Sequence, residues 1–427
     1  MREGVGLASH ASERLPSPFA ASVNSVKSVR GIGLLTGGQD KSYALGLSSS
    51  LAARGLQLDF VGSDELDVPE VRAIPGLTFL NLRGSQQRNV SAAQKVSRVF
   101  AYYLRLLRYA ATARHRILHI LWNNKFEFID RTFLMLYYKA LRKQVVLTSH
   151  NVNAAKRDNR DSWLNRFTLR IQYRLADHIF VHTKRMKGEL LEDFSVPDRA
   201  VTVIPFGINT TVPDTALTTA QARERLQLSP NDRVILFFGR IGPYKGLEVL
   251  VSAFQQIAPA DVRYRLLIAG DRKTGSESYW DEIRDVIEGD SSRRQVVQKI
   301  GYVPDEDTEL YFKAADVLVL PYTQIFQSGV LFLSYGFGLP VIAADVGSFG
   351  EDIVEGQTGL LFRPGDAADL ARAIHSYFSS ALYDDLPARR REIRRHADSR
   401  YSWDVVADMT CRVYAELVDP TVVNRPA

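Results

Sequence analysis

Short apolar stretches recur along this chain, separated by longer segments whose apolar residues fall at helical spacing. From residue 31 the stretches read GIGLLTGG, LQLDFVG, LTFLNL, ILHILW, VVLTSH and HIFVHT. Strands of this length alternating with helices predict a parallel sheet covered on both faces. Over residues 201–221, VTVIPFGINTTVPDTALTTAQ, Pro, Gly, Asn and Thr gather and the alternation stops. A second series follows: VILFFGR (234–240), RLLIAG (265–270), VVQKIGYV (296–303), DVLVLPY (316–322), PVIAADVG (340–347) and GLLFRPGD (359–366).

The pattern predicts an α/β chain of two doubly wound domains. Its expected divisions are a loose tail over 1–29, a first domain over 30–205, a linker over 206–232, a second domain over 233–396 and a closing segment over 397–427. The last helix, YSWDVVADMTCRVYAELV (401–418), is expected to return to the first domain. The basic run RRREIRRH before it reads as a solvated helix face. A length of 427 residues suits two domains. At 45% hydrophobic and 24% charged, the composition excludes fibrous and disordered classes. The single cysteine, Cys411, excludes an internal disulfide and a cysteine zinc cluster, which fits a reducing cytoplasm. The first thirty residues lack the apolar core of a secretory signal, and no run reaches the roughly 18 apolar residues of a membrane span. A net charge of +6 admits an anionic partner. The basic residues are scattered and form no recognised module, so nucleic acid is set aside.

In doubly wound sheets ligands sit where strands turn into helices, so the strand exits carry the candidate chemistry. TGGQDKS (36–42) pairs Gly37 and Gly38 ahead of Lys41, either as a tight structural turn or as a substrate contact; it matches neither the Walker nor the dinucleotide pattern. LTSHNVN places His150 and Asn151 directly after a strand, where a structural and a catalytic reading both stand, whereas His119 inside ILHIL reads as a core histidine. FFGRIGPYKGLEVL ends a strand at Gly239 and sets Arg240 and Lys245 across a Gly-Pro turn. A guanidinium fork and a point charge so placed can converge on one diphosphate. IFQSGVLFL (325–333) puts Gln327, Ser328, Gly329 and Val330 at a helix start, where backbone N–H groups can grip an anion.

Taken together these residues resemble the retaining glycosyltransferases of family 4, which have the GT-B architecture of two facing Rossmann-like domains. The stretches behind the resemblance are FGRIGPYKGLEVLVSAF, LLIAGD, ADVLVLPY, GFGLPVIAADVGSFGEDIVEGQTGLLFRPGD, IPFGIN and YSW. The resemblance implies transfer of a sugar from a nucleotide-sugar donor, UDP- or GDP-linked, with retention at the anomeric carbon. It implies a saccharide or lipid-linked saccharide acceptor in exopolysaccharide or glycoconjugate assembly. Arg240 and Lys245 would contact the donor diphosphate, with Gly239, Gln327, Ser328, Gly329 and Val330 around it. His150 would lie near the transferred sugar as a positioning group, and Gly37 and Gly38 would face donor phosphate and acceptor. Lys41 and Asn151 are expected on the acceptor side. No metal and no cofactor are expected.

One departure stands out. The family usually carries two glutamates eight positions apart, and here those positions are Ile325 and Leu333. The ribose contact is thereby left unassigned, and backbone N–H groups with Gln327 and Ser328 are expected to keep the phosphate grip. Two other readings stay open, a noncatalytic partner of the same fold and a sugar-nucleotide epimerase. Residues 95–114 predict a helix with Lys95, Arg98, Arg105, Arg108, Tyr102 and Tyr109 on one side and Val99, Phe100, Tyr103, Leu107 and Ala110 opposite. That face reads either as a solvated surface or as a contact for an anionic membrane, which would make the protein peripheral on the inner face of the cell membrane.

Overall fold

The computed structural model describes residues 29, 31–38, 40–86, 91–124, 126–157, 160–209, 211–325 and 327–419. Residues 1–28 of the expected tail, and position 326 in the IFQSG turn, lie outside the described residues. The first sheet holds β1 (Gly31–Leu35), β2 (Gln57–Gly62), β3 (Leu77–Asn81), β4 (Ile117–Ile120), β5 (Gln144–Thr148), β6 (His178–Val181) and β7 (Val201–Val203), in the order β3-β2-β1-β4-β5-β6-β7. The second holds β8 (Arg233–Phe238), β9 (Tyr264–Gly270), β10 (Val296–Ile300), β11 (Val317–Leu320), β12 (Val341–Ala344) and β13 (Gly359–Phe362), in the order β10-β9-β8-β11-β12-β13. Every pairing is parallel. The central strands β1, β4, β6, β11 and β12 are buried at each position, as strands covered on both faces must be. Strand order reverses between β1 and β4 and between β8 and β11, and these switch points open the crevices where ligands bind.

The helices that bear on the site are α1 (Lys41–Ala53), α2 (Ala92–Thr112), α3 (Glu127–Ile129, a π-helical turn Asp130–Leu134, then Met135–Ala140), α4 (Trp163–Leu175), α5 (Lys184–Phe194), α6 (Leu247–Ile257), α7 (Gly329–Gly336), α8 (Leu386–Tyr401) and α9 (Trp403–Val418). Helix α9 lies on α1: Trp403, Val406 and Tyr414 join one buried cluster with Ile32, Leu34 and Leu47. Gly46 makes room for Trp403, since a Cβ there would come within 2.0 Å of the indole. His119 is a satisfied core histidine, with Nδ1 2.5 Å from Tyr414 Oη and Nε2 2.7 Å from Thr148 Oγ1; burial drives its pKa down to about 3.

Four readings of the sequence need correction. Val201–Val203, placed in the stretch where alternation stops, is a seventh strand paired with β6. The segment 206–232 is no bare linker. It contains the helix Thr219–Arg225, whose Arg223 donates to Asp316 (2.8 Å) and to the Ala314 carbonyl in the second half. The run RRREIRRH is not wholly solvated: Arg390 donates to the carbonyls of Phe312, Ala315 and Phe337, and burial lowers its pKa to about 10. On α2 it is Tyr102, Leu106, Tyr109 and Ala110 that are buried, while Val96, Phe100 and Leu104 face outward. Tyr102 and Tyr109 turn inward because their rings suit the core once their hydroxyls find partners, here Asn124 and Asp59.

Candidate active site

A cleft pocket of about 360 Å³ lies between the two sheets, at strand exits and helix starts from both halves. Lys245, Ile325, Gln327, Ser328, Gly329, Val330 and Leu333 line it from the second half. Asp40, Ser42, Tyr43, Phe206 and Asn209 line it from the first.

Lys245 is brought there by a backbone that only glycine permits. The turn Pro243–Lys245 leads into Gly246 at φ 64°, where an added Cβ would stand 2.0 Å from the Pro321 carbonyl oxygen. Lys245 is 7% exposed; its Nζ donates to Tyr322 Oη (2.5 Å) and sits 3.8 Å from the centre of that ring. Burial drives its pKa down to about 8, with Tyr244 opposing and the charge of Arg240 adding to the fall. Tyr322 Oη in turn lies 3.2 Å from Ser328 Oγ. Lysine, tyrosine and serine form one chain under the pocket. Ser328 precedes α7 without capping it by its side chain, so the N–H groups of Gly329 and Val330 are not claimed by that hydroxyl. The buried Gln327 Oε1 has no partner among the described residues. Gly239 touches this corner, its would-be Cβ 3.5 Å from Val330 Cγ2.

The residues predicted from sequence thus fall into three groups. Lys245, Gln327, Ser328, Gly329 and Val330 come together, with Gly239 against Val330. Arg240 is exposed and outside the pocket's lining, near enough for its charge to act on Lys245. His150, Gly37, Gly38, Lys41 and Asn151 lie elsewhere. His150 stands behind the lining, stacked on Trp122 (4.3 Å, 7°) and edge-on to Tyr43 (4.7 Å). His182 Nδ1 donates to the Ile204 carbonyl (3.2 Å), so its Nε2 accepts from His150 Nδ1 (3.0 Å). That leaves His150 Nε2 a bare acceptor, without a partner among the described residues. Burial, then His182 and His119, hold the His150 pKa well below the ordinary imidazole value, so the ring is neutral. Gly37 and Gly38, at φ 60° and 68°, fold under Trp122, Arg83 and Gln86 and are absent from the cleft pocket's lining. Lys41 lines a separate hollow beside Trp403 and Asp305, and Asn151 is exposed after β5.

Sequence reasoning missed Asp40 and Tyr43. Asp40 is the N-cap of α1, accepting from Tyr43 N (3.1 Å), and an Asp ahead of an apolar helical run is a legible cap signal. It is a carboxylate in the lining of a pocket whose two expected carboxylate positions are Ile325 and Leu333. Desolvation by the cleft walls raises its pKa, against the N–H groups of Tyr43 and Ser42. The expectation that the chain carries no Asp-x-Asp motif is also wrong: Asp305-Glu306-Asp307 has that spacing. It forms the first turn of the helix Asp305–Ala314, where acidic residues complement the helix dipole. Among the described residues no group of three His, Cys, Asp or Glu is placed to hold a metal.

Residues 40–212 match the Glycosyltransferase Family 4 sequence family and residues 232–380 match Glycosyl transferases group 1. The chain has the GT-B fold, and each half carries a glycosyltransferase domain. A D-inositol 3-phosphate glycosyltransferase from Corynebacterium aurimucosum is 29% identical over 249 residues, covering 56% of this chain and 57% of that protein. The chain therefore spans a little over half the length of the first curated relatives it matches. Among solved GT-B structures, sucrose-phosphate synthase from Thermosynechococcus elongatus superposes with a TM-score of 0.71 at 20% identity, over 91% of this chain and 99% of that one. HepE from Anabaena, solved in complex with UDP, gives 0.69 at 16% identity, over 90% and 100%.

Proposed function

We propose that this GT-B chain moves a sugar from a nucleotide-sugar donor to a saccharide or lipid-linked acceptor, with retention of anomeric configuration. The observation that carries the reading is the pocket floor itself: Lys245, Tyr322 and Ser328 in one chain, beside the start of α7. A diphosphate seated there meets the Lys245 charge and the N–H groups of Gly329 and Val330, with Arg240 nearby. Such donors stabilise a departing diphosphate without a metal ion. In the step, the acceptor hydroxyl oxygen bonds to the anomeric carbon while the bond from that carbon to the diphosphate oxygen breaks. The bonding pair leaves with the nucleoside diphosphate, which also takes up the hydroxyl proton. The neutral His150, behind the lining, positions the pocket wall by packing edge-on against Tyr43 and takes no proton in the step. A UDP- or GDP-sugar is the donor class; the complex of the similarly folded HepE with UDP supports a uridine nucleotide.

The test is nucleoside-diphosphate release over UDP-, GDP- and ADP-sugars, with and without a membrane-lipid extract, in EDTA, beside Arg240→Ala and Lys245→Ala. Release that needs one donor and the extract, survives EDTA and falls in both variants is the expected result. Silence across the panel, with no nucleotide bound by calorimetry, would favour the noncatalytic reading, for which the loss of both glutamates to Ile325 and Leu333 is the motive. The site of action proposed is the cytoplasmic surface of a membrane. Among the described residues no helix is long and apolar enough to cross one.

A further inference from the structure

On the outer side of the Gly37–Gly38 loop lies a second pocket, of about 540 Å³, lined by Arg83, Lys95 and Arg98 with Tyr102, Tyr103 and Asn124. Among the described residues its lining contains no acidic side chain. Among the described residues, none of the three cations makes an ion pair; Arg83 is held by the Gly37 carbonyl and the Tyr102 ring. Two carboxylates stand just outside the lining, each already held: Asp130 Oδ1 by Tyr103 Oη (2.8 Å) and Asn124 Nδ2 (3.1 Å), and Glu65 by Gln86 N (2.8 Å) and Nε2 (3.2 Å). A pocket so charged attracts an anion.

This pocket does not close. Lys95, Val99, Tyr103 and Phe126 also line a groove of about 680 Å³ that runs out between α2 and α3. Beyond those four the groove's lining is apolar apart from one phenol: Val96, Phe100, Leu107, Ile129, Phe133 and Leu134, with Tyr137. Val96 is 70% exposed, Phe100 65% and Phe133 62%, a contiguous apolar surface of a kind that water-facing proteins rarely carry without use. The wall on the α3 side is the π-helical turn Asp130–Leu134, a local rewinding found frequently at functional sites. Outside the groove, Trp163, Leu164 and Phe167 on α4 extend the apolar surface.

The polar end faces the chemistry. Arg83 donates to the Gly37 carbonyl and Gln86 to that of Gly38 (3.4 Å), and two residues further along the chain Asp40 enters the donor pocket. A site that is cationic beside the cleft and apolar away from it fits one amphiphile.

We infer that the acceptor is a phosphate-bearing lipid, its anionic head group held by Arg83, Lys95 and Arg98 and its hydrocarbon chain lying between α2 and α3. The acceptor role rests on the transferase reading above; the binding site does not. A peptide helix would satisfy the groove but would leave the cations beside the cleft unmatched, and a free phosphate would leave the groove empty.

The test uses the full chain and dodecyl phosphate below its micellar concentration, with inorganic phosphate and dodecyl maltoside as the two half-ligands. Phosphatidylcholine vesicles with and without phosphatidic acid form a further arm. Dodecyl phosphate is expected to bind at least about tenfold tighter than either half-ligand, a preference of roughly 1.4 kcal/mol. Lys95→Glu with Arg98→Glu should erase the preference over the maltoside. Phe100→Ser with Phe133→Ser should erase the preference over inorganic phosphate, and nucleotide binding retained in both pairs shows that they fold. Equal binding of inorganic phosphate, equal binding of the maltoside, or binding to vesicles alone would each overturn the proposal. Dodecyl phosphate binding by a chain that is silent in the donor-release assay would keep the lipid site and overturn its acceptor role.

Discussion

The two rims of the cleft are built on opposite plans. On the second-half rim, charge is buried: Lys245 sits against aromatic rings with its hydrogen bonds made inside the protein, and short turns bring it there. On the first-half rim the apolar groups are outside, with Phe100 and Phe133 in solvent, and the cations Arg83, Lys95 and Arg98 beside them make no ion pair among the described residues. Burying a lysine costs stability, and exposing phenylalanine gains none, so neither arrangement is explained by folding. Each rim departs from the rules of a stable surface in the direction its proposed ligand requires, a diphosphate on one side and an amphiphile on the other.

Lys245→Ala strikes at this contrast hardest. A loss of roughly 10²–10³-fold in kcat is expected, the range seen when one preorganised donor to a developing anion is removed. Steady-state release of nucleoside diphosphate reads it. A loss under threefold would place the diphosphate elsewhere. Leu331→Ala, a fully buried position at the start of α7, is expected to cost about 2–5 kcal/mol in denaturant unfolding. Next comes the paired change Ser328→Ala with Gln327→Ala, which leaves the backbone N–H groups in place. Donor KM should rise about tenfold with kcat less affected, as for lost charge-assisted hydrogen bonds of about 1.4 kcal/mol. Unaltered KM and kcat would show that the backbone alone holds the donor.

The pH dependence is subtler. Free Lys245 loses its proton near pH 8, so donor KM should climb as pH rises through that value, and Lys245→Arg should flatten the profile. The sign for stability is the reverse. The unfolded chain holds this proton up to about 10.5, so between pH 8 and 10.5 the unfolded state binds more protons and the fold gains stability as pH rises. Smallest of all, Phe100→Ser should shift unfolding by no more than about 0.5 kcal/mol, as surface changes do. A larger loss would mean that the groove is part of the core.

Most of the sheet framework was legible because parallel strands buried on both faces read as continuous apolar runs. Val201–Val203 was not, being three residues long and followed by Ile-Pro-Phe-Gly, where turn chemistry outweighs any strand signal. The second-half side of the site was legible for a similar reason: Lys245 and the 327–330 turn owe their positions to neighbours in sequence. The first-half side was not. Asp40 and Tyr43 reach the cleft pocket, and His150 retreats behind Tyr43 and Phe206, only through packing of distant elements. On α2 the stripe was misphased because tyrosine suits a core when its hydroxyl finds a partner, and the partners, Asn124 and Asp59, lie 22 and 50 residues away.

The chain crosses between its halves twice, once through residues 204–212 and again between α8 and α9. The crossings are bonded to each other: Ile208 N donates to the Tyr401 carbonyl (3.0 Å), and Trp403 Nε1 donates to the Ile208 carbonyl (2.8 Å). Two tethers fastened side by side behave as an axle where a single tether would behave as a swivel. They leave rotation about one line as the easy relative motion of the halves and resist twisting. A cleft mounted in this way leaves its two walls little orientational freedom.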